Sequence, residues 1–196
     1  MAGWQMSLAH SIDGYAIISD NHCIADANGD MPDCLKNDAD WAYFQAALDA
    51  ATITVVGRKG HQANPNHKAR RRLILSRSVS SLEQRSDGWW WNPAGHDWVD
   101  VVQQVAPEGG SIAVPGGRDV FDLFLNPGYA SFHLARAEGS YVPNGTKLFS
   151  GLGDSTPEQL LADHGMQAGP TTWLDQEARV SLTVWCKSGA DVSVSP

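Results

Sequence analysis

The stretch Ala113-Val114-Pro115-Gly116-Gly117-Arg118-Asp119-Val120-Phe121 constrains this chain more than any other. An apolar strand stops at two adjacent glycines, and an amphipathic segment begins at once. With no Cβ, the glycines let the backbone come very close to another group. A helix starting there aims free N–H groups and the positive end of its dipole at the same point, which suits a pyrophosphate. Tight strand-to-helix turns also use glycine for purely structural reasons, so the pair alone leaves both readings open.

The rest of the chain alternates in the same way. Trp4 to Ile12 reads as a first strand ending in the turn Asp13-Gly14, and the polar segment through Asn21, Asn28-Gly29-Asp30, Pro32 and Asn37 as a mobile surface loop. Asp38 to Ala51 reads as a helix, with Asp38 as N-cap and Trp41, Phe44 and Leu48 along one side. Thr52 to Gly57 and Arg72 to Ser76 are short strands, and Gly88 to Asn92, with three consecutive tryptophans, is extended. His96 to Ala106 is helical with Val99, Val102 and Val105 on one side. Ser111 to Pro115 is a buried strand, Arg118 to Leu125 the next helix, and Tyr129 to Ala137 a strand. A short helix opens at Thr156-Pro157-Glu158 and ends near Gly165. Strands Thr171 to Leu174 and Val180 to Lys187 then form a hairpin. The expected class is α/β, with a mostly parallel central sheet, helices on both faces and an antiparallel C-terminal hairpin. No repeat or linker divides the chain, so residues 1–196 are expected to form one domain.

Charge narrows the partners. Twenty-two acids against 14 bases give a formal net charge of -8, the wrong sign for general nucleic-acid binding. Yet Arg58, Lys59, His67, Lys68, Arg70, Arg71, Arg72, Arg77 and Arg85 crowd into one region. That cluster fits a small anionic ligand or a solvated arginine-rich loop. No apolar run is long enough to span a bilayer, and Met1 to Met6 lacks the features of a secretory signal. The three scattered cysteines, Cys23, Cys34 and Cys186, fit reduced thiols in a cytoplasm and no structural zinc.

Four segments in order carry a family resemblance: Ser11-Ile12-Asp13-Gly14; Asp40-Trp41-Ala42-Tyr43-Phe44 with Val55-Val56-Gly57-Arg58-Lys59; Leu73-Ile74-Leu75-Ser76-Arg77; and Val114-Pro115-Gly116-Gly117 with Phe121 and Phe124. Together they resemble the dihydrofolate reductase superfamily over roughly residues 4 to 150, the first segment looking like its riboflavin-pathway reductase branch. The zinc-deaminase signature that accompanies some of those reductases is absent.

The resemblance implies hydride transfer from NADPH to a pterin such as dihydrofolate, or to a related heterocycle, in one-carbon metabolism or riboflavin biosynthesis. It places Gly57, Arg58, Lys59, Ser76, Arg77, Pro115, Gly116, Gly117, Arg118, Asp119 and Val120 around the cofactor. Arg58 and Lys59 would lie by the 2′-phosphate, where charge-assisted hydrogen bonds favour NADPH over NADH. Leu8, Ala9, Met31 and Phe44 would line the substrate. Asp40 would be the catalytic carboxylate that orients and polarises the ring, with Asp38 as rival because the preceding loop is long. Ala135 stands where the family has a supporting threonine, Asp33 follows Met31-Pro32 where it has tryptophan, and Arg118 stands where a third glycine is common. A ribosylaminopyrimidine substrate and a non-catalytic nucleotide-binding role are the alternatives. Trp89-Trp90-Trp91 should place Trp90 on one face and its neighbours on the other, and offers a dimer contact, so monomer and homodimer both stay open. Asp26 to Asp30 lacks the glycine and glutamate of a calcium loop, no histidines share metal-ligand spacing, and no serine sits in a nucleophile elbow.

Overall fold

The computed structural model describes residues 9–187. In chain order the elements are β1 (His10–Ile18), β2 (Cys23–Ala25), α1 (Asp38–Ala50), β3 (Ile53–Gly57), α2 (Arg58–Ala63), β4 (Arg72–Leu75), β5 (Leu82–Arg85) and β6 (Gly88–Trp91). There follow α3 (Trp98–Val105), β7 (Gly110–Val114), α4 (Arg118–Phe124), β8 (Ser131–Ala137), β9 (Thr146–Lys147), α5 (Pro157–Asp163), β10 (Met166–Asp175) and β11 (Val180–Lys187). Nine strands form one sheet in the order β10-β11-β8-β1-β7-β3-β4-β6-β5. Pairing is parallel from β8 through β6 and antiparallel at β5/β6, β8/β11 and β10/β11. The expected α/β architecture with its antiparallel C-terminal hairpin is therefore present.

Alternation along the strands divides the core between the two faces. Ile12, Ile18, Ile53, Val55, Ile112, Val114 and Phe132 pack with Val101, Val102 and Val105 of α3, Phe121 and Phe124 of α4, and Leu161 of α5. Ile17, Ala135, Ala137, Val180 and Leu182 form a second cluster with Leu35, against which Tyr43 of α1 packs. Each large side chain so buried contributes roughly 1.5–3 kcal/mol before entropy is counted.

Several boundaries differ from the sequence reading, each for a physical reason. Residues 4–8 of the expected first strand lie outside the described residues. Asp13-Gly14 is no turn, because β1 runs straight through it to Ile18. Gly14 is instead a packing requirement: a Cβ there would stand 2.4 Å from Phe132 Cδ2 and 3.0 Å from Tyr129 Cε1. The segment expected to be a mobile loop holds β2, which pairs with β9, and a 3-10 turn at Asp33–Leu35 that buries Leu35. Asn37, not Asp38, caps α1, its side-chain oxygen accepting from the N–H groups of Ala39 and Asp40. Trp41 is 55% exposed and not part of the core stripe. In α3 the buried face is Val101, Val102 and Val105, and Val99 is turned to solvent. The helix α2 and the strands β5 and β9 were not foreseen, and β10 starts earlier than expected, passing Gly169-Pro170 at a register shift between Ala168 and Thr171. The tryptophans alternate as expected: Trp90 joins Ile74 and Val79, while Trp91 and Trp89 pack into the main core. With Trp90 and Trp91 buried, the triplet is chiefly an internal packing element.

Candidate functional site

Parallel strands end on one edge of the sheet, so topology decides which loops meet. The order β7-β3-β4 makes neighbours of the segments that follow those strands: Pro115-Gly116-Gly117, Arg58-Lys59 and Ser76-Arg77. At the junction of α4 and β3, a Cβ on Gly57 would lie 3.6 Å from Val120 Cγ2. The first turn of α1 reaches the same edge. The Asn37 side-chain amide donates to Asp175 at 2.9 Å, Asp175 pairs with Val180, and Val180 pairs with Ala137, the last residue of β8. Asp40, three residues from that tether, thus lies at the edge that carries the glycine pair.

The glycine pair has a backbone only glycine adopts comfortably. Gly116 has φ 129° and Gly117 φ 42° with ψ 149°. Gly117 is exposed, and a Cβ built there would meet nothing within 4 Å, so its surface is open to a ligand. Its carbonyl accepts from the N–H groups of Val120 and Phe121 at 2.9 and 3.0 Å. Val120 is 4% exposed and packs in the core, so its side chain faces away from that opening. Arg118 leans toward Asp119, with Nε 3.6 Å from the carboxylate.

The basic region separates into two groups. Lys68 and Arg70 hold Asp49 at 2.6 and 2.5 Å, Arg71 and Arg72 donate to the carbonyls of Val105 and Asn64, and Arg85 pairs with Glu83 and lies 4.6 Å over Trp90. Arg58, Lys59 and Arg77 are exposed and have no ion pair or side-chain hydrogen bond among the described residues. By strand order these three, together with Arg118, stand beside the glycine edge. Ser76 is buried, its hydroxyl engaged with Ser78 at 2.7 Å. A cluster of unpaired cations next to an open diglycine turn has the chemistry to hold a polyanionic dinucleotide.

Asp40 is half-buried, and burial pushes its carboxyl up to about 6. Its carboxylate has no hydrogen bond or ion pair among the described residues. Ala135 is buried, in the cluster against which Tyr43 packs. Asp38 is exposed to solvent. Between the two acids left open by the sequence, Asp40 is the one in a desolvated position. Phe44 sits beside it on α1, its ring 5.7 Å from that of Trp41 and 6.4 Å from that of Tyr15. Met31 is exposed ahead of the 3-10 turn.

Two substrate positions do not join this group. Leu8 lies outside the described residues. Ala9 stands at the opposite end of β1, where its carbonyl accepts from Gly110 and it lines a groove of about 550 Å³ with His10, Trp98 and Gly128. β1 runs on to Ile18, past the end read from the sequence, and Tyr15 of that strand has its ring 6.4 Å from that of Phe44. His10 itself is bonded to the Ala106 carbonyl at 2.7 Å. A second groove of about 350 Å³, between Arg136, Glu158, Thr171 and Trp185, also excludes Asp40 and the glycine pair.

The sequence reading missed a polar row under α1. Asp13 accepts from Ser11 at 2.9 Å and from Ser131 at 2.7 Å. Ser131 contacts His133 Nε2 at 2.9 Å, and His133 Nδ1 contacts the Tyr43 hydroxyl at 2.6 Å. The only available signal was weak: Asp13 and Tyr15, Ser131 and His133, and Tyr43 each fall at inward positions of their own element.

No protein-family model and no curated protein sequence matches the chain. Solved structures do. The diaminohydroxyphosphoribosylaminopyrimidine deaminase/5-amino-6-(5-phosphoribosylamino)uracil reductase of Thermotoga maritima aligns at TM-score 0.63 and 15% identity over 91% of this chain. This chain spans 57% of that bifunctional protein's length. Dihydrofolate reductase from Enterococcus faecalis, complexed with NADP(H) and RAB-propyl, aligns at TM-score 0.64 and 13% identity, covering 92% of this chain and 98% of that one. A Shewanella protein named for riboflavin biosynthesis aligns at TM-score 0.62 and 16% identity, covering 90% and 98%. The fold is dihydrofolate reductase-like, and the first two of these neighbours are named as reductases. No helix among the described residues is long and apolar enough to cross a membrane.

Proposed function

We propose that the protein is an NADPH-dependent reductase that transfers a hydride to a pterin such as dihydrofolate or to a closely related heterocycle. One observation carries the reading: Asp40 is a desolvated carboxyl with no partner of its own, on the same sheet edge as the open diglycine turn and the unpaired Arg58, Lys59 and Arg77. A half-buried acid left without a hydrogen bond is costly unless a ligand supplies one. The amino and amide edge of a pterin is such a ligand. The glycine pair and the three cations would hold the dinucleotide, with Arg58 and Lys59 nearest its 2′-phosphate. A reduced nicotinamide supplies the hydride when bound.

In this reading Asp40 does two things. It fixes the ring's orientation by accepting from two N–H groups, and its charge polarises the ring so that the imine nitrogen is more readily protonated as hydride arrives at carbon. Ligand N–H donors favour the carboxylate, so binding should draw its proton affinity back down from about 6.

A ribosylaminopyrimidine is the second substrate reading. Ala135 favours it, because the carboxylate lacks the hydroxyl support that a folate-type site has. A fold that binds the nucleotide without turnover is the remaining alternative. Side-by-side NADPH oxidation with dihydrofolate and with a ribosylated aminopyrimidine, in the native protein and in Asp40→Asn, separates all three. Turnover with either substrate that falls at least about 100-fold in Asp40→Asn supports the reductase reading. NADPH binding without oxidation of any substrate rejects it in favour of the binding role.

A further inference from the structure

The polar row under α1 has a direction that its chemistry dictates. An ionised Asp13 can only accept, so Ser11 and Ser131 both give it their hydroxyl protons, at 2.9 and 2.7 Å. Ser131 then has no proton left for His133, and their 2.9 Å contact is a donation from His133 Nε2. A neutral imidazole with its proton on Nε2 accepts at Nδ1, and the Tyr43 hydroxyl donates to it across 2.6 Å. The Tyr15 ring stacks on the imidazole at 4.5 Å and 18°, which fixes its plane. Side chains from β1 and β8 therefore hold one tautomer and aim it at Tyr43 of α1.

Protonating His133 reverses only the last link. Nδ1 then carries a hydrogen, Tyr43 must accept it, and the Tyr43 hydroxyl proton is released to point elsewhere. Tyr43 is half-buried, one helical turn beyond Asp40 on the same face of α1, and within reach of the Asp40 charge. The groups facing this pair are Asp13 and Tyr15 from β1, Asp40 from α1 and, in register with Ser131, the free thiol Cys186 of β11. Asp13 favours the imidazolium, burial opposes it more strongly, and the resting ring is held below the usual histidine range. Burial and the Asp40 charge keep Tyr43 protonated.

We propose that Tyr43 is the proton donor to the bound heterocycle and that His133, anchored through Ser131 to Asp13, reloads it. The proposal rests on the reductase reading above. As the substrate's C=N carbon gains a hydride from the reduced nicotinamide, which is thereby oxidised, the π pair of that bond moves to nitrogen. The nitrogen takes the Tyr43 hydroxyl proton, and Tyr43 takes the Nδ1 proton of cationic His133. His133 ends neutral, in the tautomer the structure shows, and is recharged by a proton from solvent. Asp40 orients the ring, and the proton arrives by a separate route.

Nitrogen-15 NMR of the ligand-free protein tests the row without any turnover. The expected result is an Nε2–H tautomer for His133, a changed Nδ1 signal in Tyr43→Phe, and a lower His133 titration midpoint in Ser131→Ala, which cuts the link to Asp13. Steady-state kinetics tests its use. Tyr43→Phe, which keeps the ring, should lower kcat roughly 100-fold with KM within about twofold, and should abolish the fall in rate with rising pH. Ser131→Ala should move that fall to lower pH by the same interval as the NMR midpoint, a parallel that a merely structural role would not produce. An Nδ1–H tautomer, or Tyr43→Phe with native kcat and pH profile, overturns the proposal. The expected tautomer with no nicotinamide oxidation by any substrate would leave the hydrogen-bonded row standing but overturn the proton-donor role together with the reductase reading.

Discussion

Replacing Asp40 with asparagine should make the folded protein more stable at neutral pH. Asp40 takes up its proton at about 6 where an ordinary aspartate does so at 3.8. Because the folded value lies above the unfolded one, the native state binds more protons between the two, and stability falls as pH rises through that window. The cost of the buried charge is small below the lower value and complete above the upper one. Each pH unit of displacement corresponds to about 1.4 kcal/mol, which sets a ceiling of about 3 kcal/mol. Asp40 is not fully enclosed, and solvent around a partly exposed group relaxes part of this, leaving about 1–2 kcal/mol. Asparagine keeps the shape and carries no charge, so Asp40→Asn should unfold later in urea than the native protein by that margin at about pH 7.5, and by a few tenths of a kcal/mol at about pH 4. Comparing variant and native protein at the same pH cancels the other carboxylates. A stability difference that is equal at the two pH values, or a loss of stability at the higher one, would refute the argument that Asp40 is a charge held against its own solvation. Such a gain, paired with lost turnover, is the trade expected where a binding group is kept in an unfavourable place.

Two further outcomes follow from the same geometry. Arg58→Ala should weaken NADPH binding about tenfold while changing NADH binding by less than about twofold, as read by calorimetry; equal losses for the two would reject the assignment of Arg58 to a 2′-phosphate. Gly14→Ala should destabilise the fold by about 1–3 kcal/mol in chemical unfolding, because its methyl would collide with the Phe132 ring at 2.4 Å, and an unchanged midpoint would restore the turn reading of Asp13-Gly14.

The parts of the fold visible in the sequence are those where a buried parallel strand is a short run of Ile, Val and Leu stopped by glycine or a polar residue. Ile53 to Gly57, Arg72 to Leu75 and Gly110 to Val114 are of this kind, and they carry the edge on which the candidate site stands. Asp40 was legible because an acid in the first turn of a helix is a local pattern. Gly14 was misread because glycine marks a turn and a tight contact equally well, and Phe132, which decides between them, lies 118 residues away. The same distance hid the row from Asp13 to Tyr43: three serine, histidine and tyrosine side chains of ordinary appearance become one chain of hydrogen bonds only when β8 lies beside β1 and α1 crosses them. Val99 was misassigned because a three-residue spacing fits two helical faces, and neighbouring Val101 tips the choice.

The bond from Asn37 to Asp175 has a consequence for the order in which the molecule can be made. The helix that bears the acid leaves the ribosome well before the hairpin that grips its first turn, because Asp175 lies 138 residues after Asn37. A nascent chain lacking that hairpin has no partner for the Asn37 amide and no β11 to close over β8. The corner proposed for catalysis is thus completed by a segment made much later, and a polypeptide cut short before β10 would hold every proposed cofactor and catalytic residue and still lack the latch at the first turn of α1.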